Sequence, residues 1–359
     1  MRIFITGGAG FIGCNLAAQH LQRGNCVTVF DNLSRQHTRH NLDWLQHDVQ
    51  RAEGAALDFV RGDIRDFESL RTAMTRAQPD LIVHFAAQVA VTTSIKDPRE
   101  DFEINALGTF NVLEAARAQA TPPAVFYAST NKVYGGLEDQ RVVLNGLRYG
   151  LPDLPEGVSE AQMLDFHSPY GCSKGIGDQY VRDYARIYGM RTVVFRQSCI
   201  YGEHQFGLED QGWAAYFMIA TVVNKPINIY GDGKQVRDLL HVSDLTAAYD
   251  AAWQRLDQVK GEVFNIGGGP ANTLAIWAEF GPLLEQMTER KINVTYAAIR
   301  PGDQAVFISD NTKAMELLGW QPKVAVRDGL RSLWAWVNEN RHLFDPSSAT
   351  SAVSAVNTR

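Results

Sequence analysis

The sequence of 359 residues predicts an α/β fold, a doubly wound parallel sheet with a smaller, interleaved C-terminal part. Three observations carry that expectation. Short apolar, β-branched runs recur at Arg2 to Thr6, Cys26 to Phe30, Leu57 to Arg61, Leu81 to Phe85, Ala124 to Ala128 and Thr192 to Phe195. Apolarity of this kind without alternation marks strands buried on both faces. Helical stretches such as Ala106 to Ala118 lie between the runs, so the repeating unit is βαβ and the sheet parallel. A glycine-rich turn follows the first run at once and opens a helix through Asn15, Leu16 and Ala17.

That first turn, Gly7-Gly-Ala-Gly10-Phe11-Ile12-Gly13, brings backbone N–H groups at a helix start close to a pyrophosphate. The second run ends in Asp31-Asn32, where a carboxylate accepts hydrogen bonds from both ribose hydroxyls of an adenosine. The same charge repels a 2′-phosphate, which predicts NAD in preference to NADP in a Rossmann-type site. Gly62-Asp63-Ile64 closes the third run beside the expected adenine edge. Phe85-Ala86-Ala87 closes the fourth with small residues that admit a cofactor.

The fifth run leads into Ser129-Thr130-Asn131-Lys132, and Tyr170-Gly-Cys-Ser-Lys174 lies 40 residues after Thr130. Tyr and Lys four apart share a helix face. A phenol has a pKa of about 10, and a neighbouring ammonium is expected to favour the phenolate and make it a base toward an alcohol. Thr130 is placed to hold the same alcohol. From 136 to 167 the periodicity breaks into a long Pro- and Gly-containing stretch, expected to be a lid or a subunit contact. Residues 1–195 form the expected cofactor domain, with 236–256 returning to it. Residues 196–235 and 257–344 build the substrate part, and the Ser-, Ala- and Thr-rich tail 345–359 is expected to be disordered.

Composition excludes several classes. A net charge of −6 with scattered Lys and Arg gives no basic stripe for nucleic acid or a membrane surface. Cys14, Cys26, Cys172 and Cys199 show no metal-ligand spacing and are expected to be reduced, with no bound metal. The start at Met1-Arg2-Ile3 leaves no room for a signal peptide, and no run is long enough to span a membrane. The expected location is cytoplasmic.

In this order, Gly7-x-x-Gly10-x-x-Gly13, Asp31, Gly62-Asp63, His84-Phe-Ala-Ala87, Asn105 in Asn-Ala-Leu-Gly-Thr, Ser129-Thr130 and Tyr170-x-x-x-Lys174 resemble the extended short-chain dehydrogenase/reductase family over roughly residues 1 to 340. The resemblance implies an NAD-dependent enzyme acting on a nucleoside-diphosphate sugar, with Thr130, Tyr170 and Lys174 catalytic. It also implies Asn105 near the cofactor and a homodimer or homotetramer paired through the helices around Ala106 to Ala118 and Lys174 to Tyr188. Ser129 to Gly135, Leu164 to Lys174 and Gly233 to Asp238 are similar to a branch that inverts C2 of a CDP-sugar.

In sister dehydratases an Asp-Glu pair follows the catalytic Thr. Here Asn131 and Lys132 stand there, which disfavours loss of water. Asn131 is expected to meet a sugar hydroxyl, and Lys132 either to order its loop or to meet substrate. By resemblance, Arg237 and Arg300 grip the substrate diphosphate, Asp303 lies near its ribose, and Gln205 and Phe206 begin the sugar-nucleotide pocket. His241 and Asp244 are expected to fasten the returning helix to the sheet. A 4-epimerase on the same scaffold and a catalytically silent NAD-binding protein remain the alternatives.

Overall fold

The computed structural model describes residues 1–300 and 302–344, so the tail expectation at 345–359 and Pro301 lie outside the described residues. Strands β1 (Arg2–Thr6), β2 (Cys26–Asp31), β3 (Ala56–Arg61), β4 (Leu81–His84) and β5 (Ala124–Thr130) join Thr192–Gln197 and Val263–Ile266 in one seven-stranded sheet. Its order is Val263–Ile266, Thr192–Gln197, β5, β4, β1, β2, β3, with every neighbouring pair parallel. Order reverses between β1 and β4, and in such sheets the crevice beyond the strand ends at that point takes the ligand.

Both faces of the sheet are covered. Ile3, Ile5, Val27 and Val29 pack with the helix Phe11–Leu21 and with Leu245, Ala248 and Tyr249 on one side. Phe4, Phe30 and Ile82 pack with Val112, Leu113 and Val181 on the other. Successive side chains of a strand point to opposite faces, so two covered faces require the unbroken apolar runs seen in the sequence.

The helix Val242–Gln254 does return to this sheet through Leu245, Ala248 and Tyr249. The strand before it, Val236–His241, does not. It pairs with Cys199–Tyr201, Thr273–Ala275 and Val306–Phe307 in a second, small sheet. Val263–Ile266, inside the span assigned to the substrate part, is instead the outer strand of the large sheet, paired with Thr192–Gln197. This four-residue strand is too short to show a period, and only its pairing identifies it. A second core, including Phe217, Trp277, Phe280, Leu284, Leu333 and Trp336, builds the C-terminal body.

The 136–167 stretch is packed down rather than free. It holds an antiparallel ribbon, Val143–Asn145 with Arg148–Gly150, and a bridge from Val158 to Ser309. Leu137, Leu151 and Val158 share a core with Val236, Val306 and Phe307. The expected helix from Ala106 begins with a π-helical turn, Glu103–Leu107, before the regular segment Gly108–Arg117. His241 caps the returning helix by accepting from Ser243 N–H at 3.3 Å. Asp244 fastens a loop rather than the sheet, its Oδ2 accepting from the N–H groups of Lys323 (2.9 Å) and Val324 (2.8 Å).

Candidate active site

The switch point opens into two adjoining cavities. One, of about 200 Å³, runs along the carboxyl ends of β1 to β4 and is lined by Gly7, Gly10, Phe11, Ile12, Gly13, Asp31, Asn32, Asp63, Ile64, Ala86 and Ala87. Each of these was expected to hold the cofactor. Gly7 has φ +69, and a Cβ on it would stand 2.6 Å from Ala86 N. At Gly13 a Cβ would stand 2.4 Å from Gly7 O. The turn therefore closes only with glycine, and the Phe11–Leu21 helix starts without a side-chain cap. The first-turn N–H groups face an anion site, which fits a pyrophosphate.

Asp31 is nearly buried, and its Oδ atoms accept from Ala9 N–H (3.1 Å) and Leu33 N–H (2.8 Å). Burial pushes its carboxyl pKa up, and those two bonds oppose the shift. Arg35, absent from the sequence expectations, also lines this cavity and donates to Gln211 Oε1 at 2.7 Å. Asp63 accepts from Asn32 Nδ2 (2.9 Å) and from Arg65, whose guanidinium lowers its pKa to about 2.

Asn105 lines neither cavity. It is 1% exposed, and its side chain bonds Gln88, Asp101 and Ser173. It lies in the π-helical turn Glu103–Leu107, bonded to the backbone of Gln88 directly after the cavity wall at Ala86-Ala87.

The second cavity, about 370 Å³, lies between the large sheet and the C-terminal body. Thr130, Asn131, Lys132, Gln205, Arg237, Arg300 and Asp303 line it. Phe206 does not. It stacks on His37 with ring centroids 4.8 Å apart and meets Trp336 and Phe344, in an aromatic joint between the two bodies. Gln205 is nearly buried, and its Oε1 is a buried acceptor without a protein partner.

Arg237 donates to Asp303 Oδ1 and to the Gln304 carbonyl, both at 2.6 Å. Lys132 Nζ is 3.7 Å from the same Asp303 oxygen, so one carboxylate joins two cations brought from distant segments. Arg300 lies over the Tyr230 ring at 3.8 Å and pairs with Asp210 at 3.1 Å. Asn131 Nδ2 donates to Gln304 Oε1 at 3.2 Å. Cys199, Asp210, Gln211, Trp213 and Tyr230 also line this cavity and were missed, since they come from the ends of separate elements and from a loop, none of which carries a motif. Cys172, inside the Tyr-Lys motif, is exposed and lines neither cavity.

Tyr170 belongs to both cavities, as do Phe11, Ile12, Ser129, Gln197 and Gln211. It sits in the helix Ser168–Tyr188 with Lys174 one turn on, and Thr130, at the end of β5, lines the larger cavity with it. The electrostatics differ from expectation. Burial drives the Tyr170 pKa up to about 12, and the Thr130 hydroxyl only moderates this. The ammonium donates to the Ala128 carbonyl at 2.6 Å, lies over the Tyr127 ring at 4.2 Å, and is itself brought down to about 7 by burial. Two groups in one dry site each resist charging, and proximity alone does not make a phenolate.

A parallel sheet ending in a glycine cradle, with Thr, Tyr and Lys on the wall between two cavities, defines a short-chain dehydrogenase/reductase enzyme. Residues 4–333 match the family described as GDP-mannose 4,6 dehydratase, and the chain belongs to this epimerase and dehydratase family. It is 44% identical over 343 residues to CDP-paratose 2-epimerase of Salmonella typhi, covering 94% of this chain and 99% of that protein.

Its structure is similar to that of the UDP-glucose 4-epimerase of Thermotoga maritima with UDP-glucose, at 30% identity and a TM-score of 0.79, covering 95% of this chain and 99% of that one. It is also similar to DesIV, the dTDP-glucose 4,6-dehydratase of Streptomyces venezuelae with NAD bound, at 29% identity and a TM-score of 0.80, covering 96% and 99%. Among the described residues no helix is long and apolar enough to cross a membrane, and no group of three or more His, Cys, Asp and Glu is placed to hold a metal.

Proposed function

We propose that this chain is an NAD-dependent nucleotide-sugar epimerase that inverts C2 of a CDP-sugar through a transient 2-keto sugar. The observation that carries the reading is the place of Tyr170 on the wall common to both cavities, with Thr130 beside it in the larger one. The glycine cradle and Asp31 fit NAD, and solved relatives of known structure hold it. NAD, when bound, supplies a hydride acceptor that gives the hydride back, and its positive ring favours the phenolate.

Tyr170 takes the proton of the C2 hydroxyl and later returns it, while Thr130 steadies that oxygen. Lys174 keeps a positive charge beneath the exchange. Arg237 and Arg300 hold the diphosphate while the keto sugar turns over and presents its other face. Asn131 and Lys132 provide no acid–base pair for eliminating water, and Lys132 is drawn toward Asp303.

The choice of CDP and of C2 is supported by the 44% identity to the Salmonella typhi enzyme. Relatives that are UDP-glucose 4-epimerases, at 31% identity over 341 residues in one case, support a second reading with oxidation at C4. Incubation with CDP-, UDP- and dTDP-hexoses, with configuration read by NMR, decides between them. Inversion at C2 of a CDP-sugar is expected, and inversion only at C4 would overturn it. We also propose a homo-oligomer paired through the exposed Phe110, Tyr180, Ile187 and Tyr188, to be checked by sedimentation.

A further inference from the structure

A buried polar cluster lies beneath the catalytic helix and takes no part in the reaction as described. Its centre is Asp101, in the short helix Pro98–Phe102 and 1% exposed. Three neutral donors converge on it. Gln88 Nε2 (2.9 Å) and Asn105 Nδ2 (3.0 Å) bond Oδ1, and Ser173 Oγ bonds Oδ2 at 2.5 Å. Asn105 reaches this place because the helix widens into the π-helical turn Glu103–Leu107, a distortion found often at functional sites. Gln88 follows the cofactor wall at Ala86-Ala87, and Ser173 immediately precedes Lys174, so the cluster clamps the floor of one cavity to the catalytic helix.

Such an arrangement suits a charged carboxylate. An ionised Asp only accepts, and three donors directed at its oxygens match that form. Burial opposes it. The cost of burying a charge asks for a compensating one, and among the described residues no Lys or Arg forms an ion pair with Asp101. The positive charge acting on it is Lys174.

The surroundings of Lys174 make that charge consequential. From β5 come the Ala128 carbonyl and the Tyr127 ring. From β4 comes His84, held neutral by burial and by Lys174 with its pKa near 3. Its own helix supplies Tyr170 and Asp178. Asp178 is already committed, its oxygens accepting from Arg196 (2.8 and 2.9 Å) and from Ser129 (2.8 Å). Asp178 is the carboxylate that acts most strongly on Lys174; Asp101, from the neighbouring short helix, is the second, and among the described residues it has no Lys or Arg ion-pair partner.

We propose that Asp101 is a positioning residue for catalysis: from beneath the Ser168–Tyr188 helix its uncompensated carboxylate holds Lys174 as the ammonium, and Gln88, Asn105 and Ser173 keep that carboxylate charged. The proposal rests on the role given to Lys174 above. A residue that merely packs two helices would change the rate without moving any titration.

The test is Asp101→Asn, which keeps an acceptor and removes the charge. Removing it lowers the Lys174 pKa, and lowers that of Tyr170 too, because Asp101 also disfavours the phenolate. Both limbs of the kcat–pH profile are therefore expected to move to lower pH, by on the order of one unit. NMR titration of isotope-labelled lysine side chains, assigned with Lys174→Arg, is expected to show the same downward shift. Ser173→Ala leaves the carboxylate with two of its three donors, so it is expected to move the alkaline limb less than Asp101→Asn does.

Asp101→Ser removes the charge equally should the asparagine variant not fold. A neutral variant with reduced kcat but unmoved limbs and an unmoved lysine titration overturns the proposal. The lysine titration does not depend on turnover, so a chain inactive on every sugar nucleotide would sink the epimerase reading and still leave this result readable.

Discussion

The two cavities that meet at Tyr170 are built on different principles. The cofactor cavity is a series of strand ends taken in chain order, Gly7 to Gly13, Asp31-Asn32, Asp63-Ile64 and Ala86-Ala87, and much of its wall is backbone. The substrate cavity collects Thr130 to Lys132, Cys199, Asp210, Tyr230, Arg237, Arg300, Gly302 and Asp303 from segments far apart in sequence. Ion pairs join them, with Asp303 shared by Arg237 and Lys132. A cradle made of backbone admits few substitutions and specifies one kind of ligand. A cluster of side chains can be changed one residue at a time, which fits a scaffold whose relatives act on different sugar nucleotides.

The sharpest way to break that contrast is at the wall between the cavities. Tyr170→Phe leaves both walls intact, so it should keep bound NAD while turnover falls by about 10³-fold, within the range of a lost general acid–base. Full activity in this variant, read by NMR of the sugar product, would sink the mechanism. The next effect belongs to the substrate side alone. Arg237→Ala removes two short charge-assisted bonds and leaves Asp303 with Lys132 at 3.7 Å. KM for the sugar nucleotide should rise about 10- to 100-fold, with NAD content unchanged. Loss of NAD in that variant would mean that the two cavities are not separable.

The same contrast explains what the sequence disclosed. Cofactor residues were legible because a strand end followed by a glycine turn is a local rule, and the structure brings Gly7, Asp31, Asp63 and Ala86 to one cavity. Thr130 and Tyr170 were read from the order of the motifs around them, since Tyr-x-x-x-Lys alone is common, and the structure brings both to one cavity. The surroundings of Phe206 were not legible, since adjacency to Gln205 in sequence does not decide which side of a loop faces the cavity; its ring lies against His37 and Trp336. Asn105 lies in a π-helical turn, which no periodicity announces, and its bonds to Gln88, Asp101 and Ser173 were not legible. Val263–Ile266 was missed because four residues carry no period and its partner strand lies about 70 residues away. The Tyr170–Lys174 electrostatics were not legible at all, because burial outweighed proximity.

A smaller effect tests the cofactor side. Asp31→Ala removes the acceptor proposed for the ribose hydroxyls and the charge that repels a 2′-phosphate. The preference for NAD over NADP should drop by about tenfold, in line with one charged hydrogen bond. Calorimetric binding of both dinucleotides measures it. An unchanged preference would pass selectivity to another group, and Arg35 on the same rim would be the first to examine.

The smallest predicted effect sets stability against activity. Lys174 titrates at about 7 in the folded chain because burial lowers it from 10.5. Between those values the unfolded chain binds the proton that the folded chain has released, so this group's contribution to stability rises with pH from about 7 to 10. Tyr170, raised to about 12, has the opposite sign above pH 10, where only the unfolded chain loses its proton. On the acid side, His20 and His204 are held near 4 and His84 near 3 by burial. Below about pH 6.5 the unfolded chain takes up protons that these histidines refuse, and stability falls. Thermal unfolding scans should thus give a Tm that climbs by a few degrees, about 2–4 °C, from neutral toward alkaline pH. Turnover needs the Lys174 ammonium and should decline over the same range. A kcat that instead rose with Tm above pH 7 would show that the lysine works as the neutral amine, and the charge assigned to the wall between the two cavities would have to be given up.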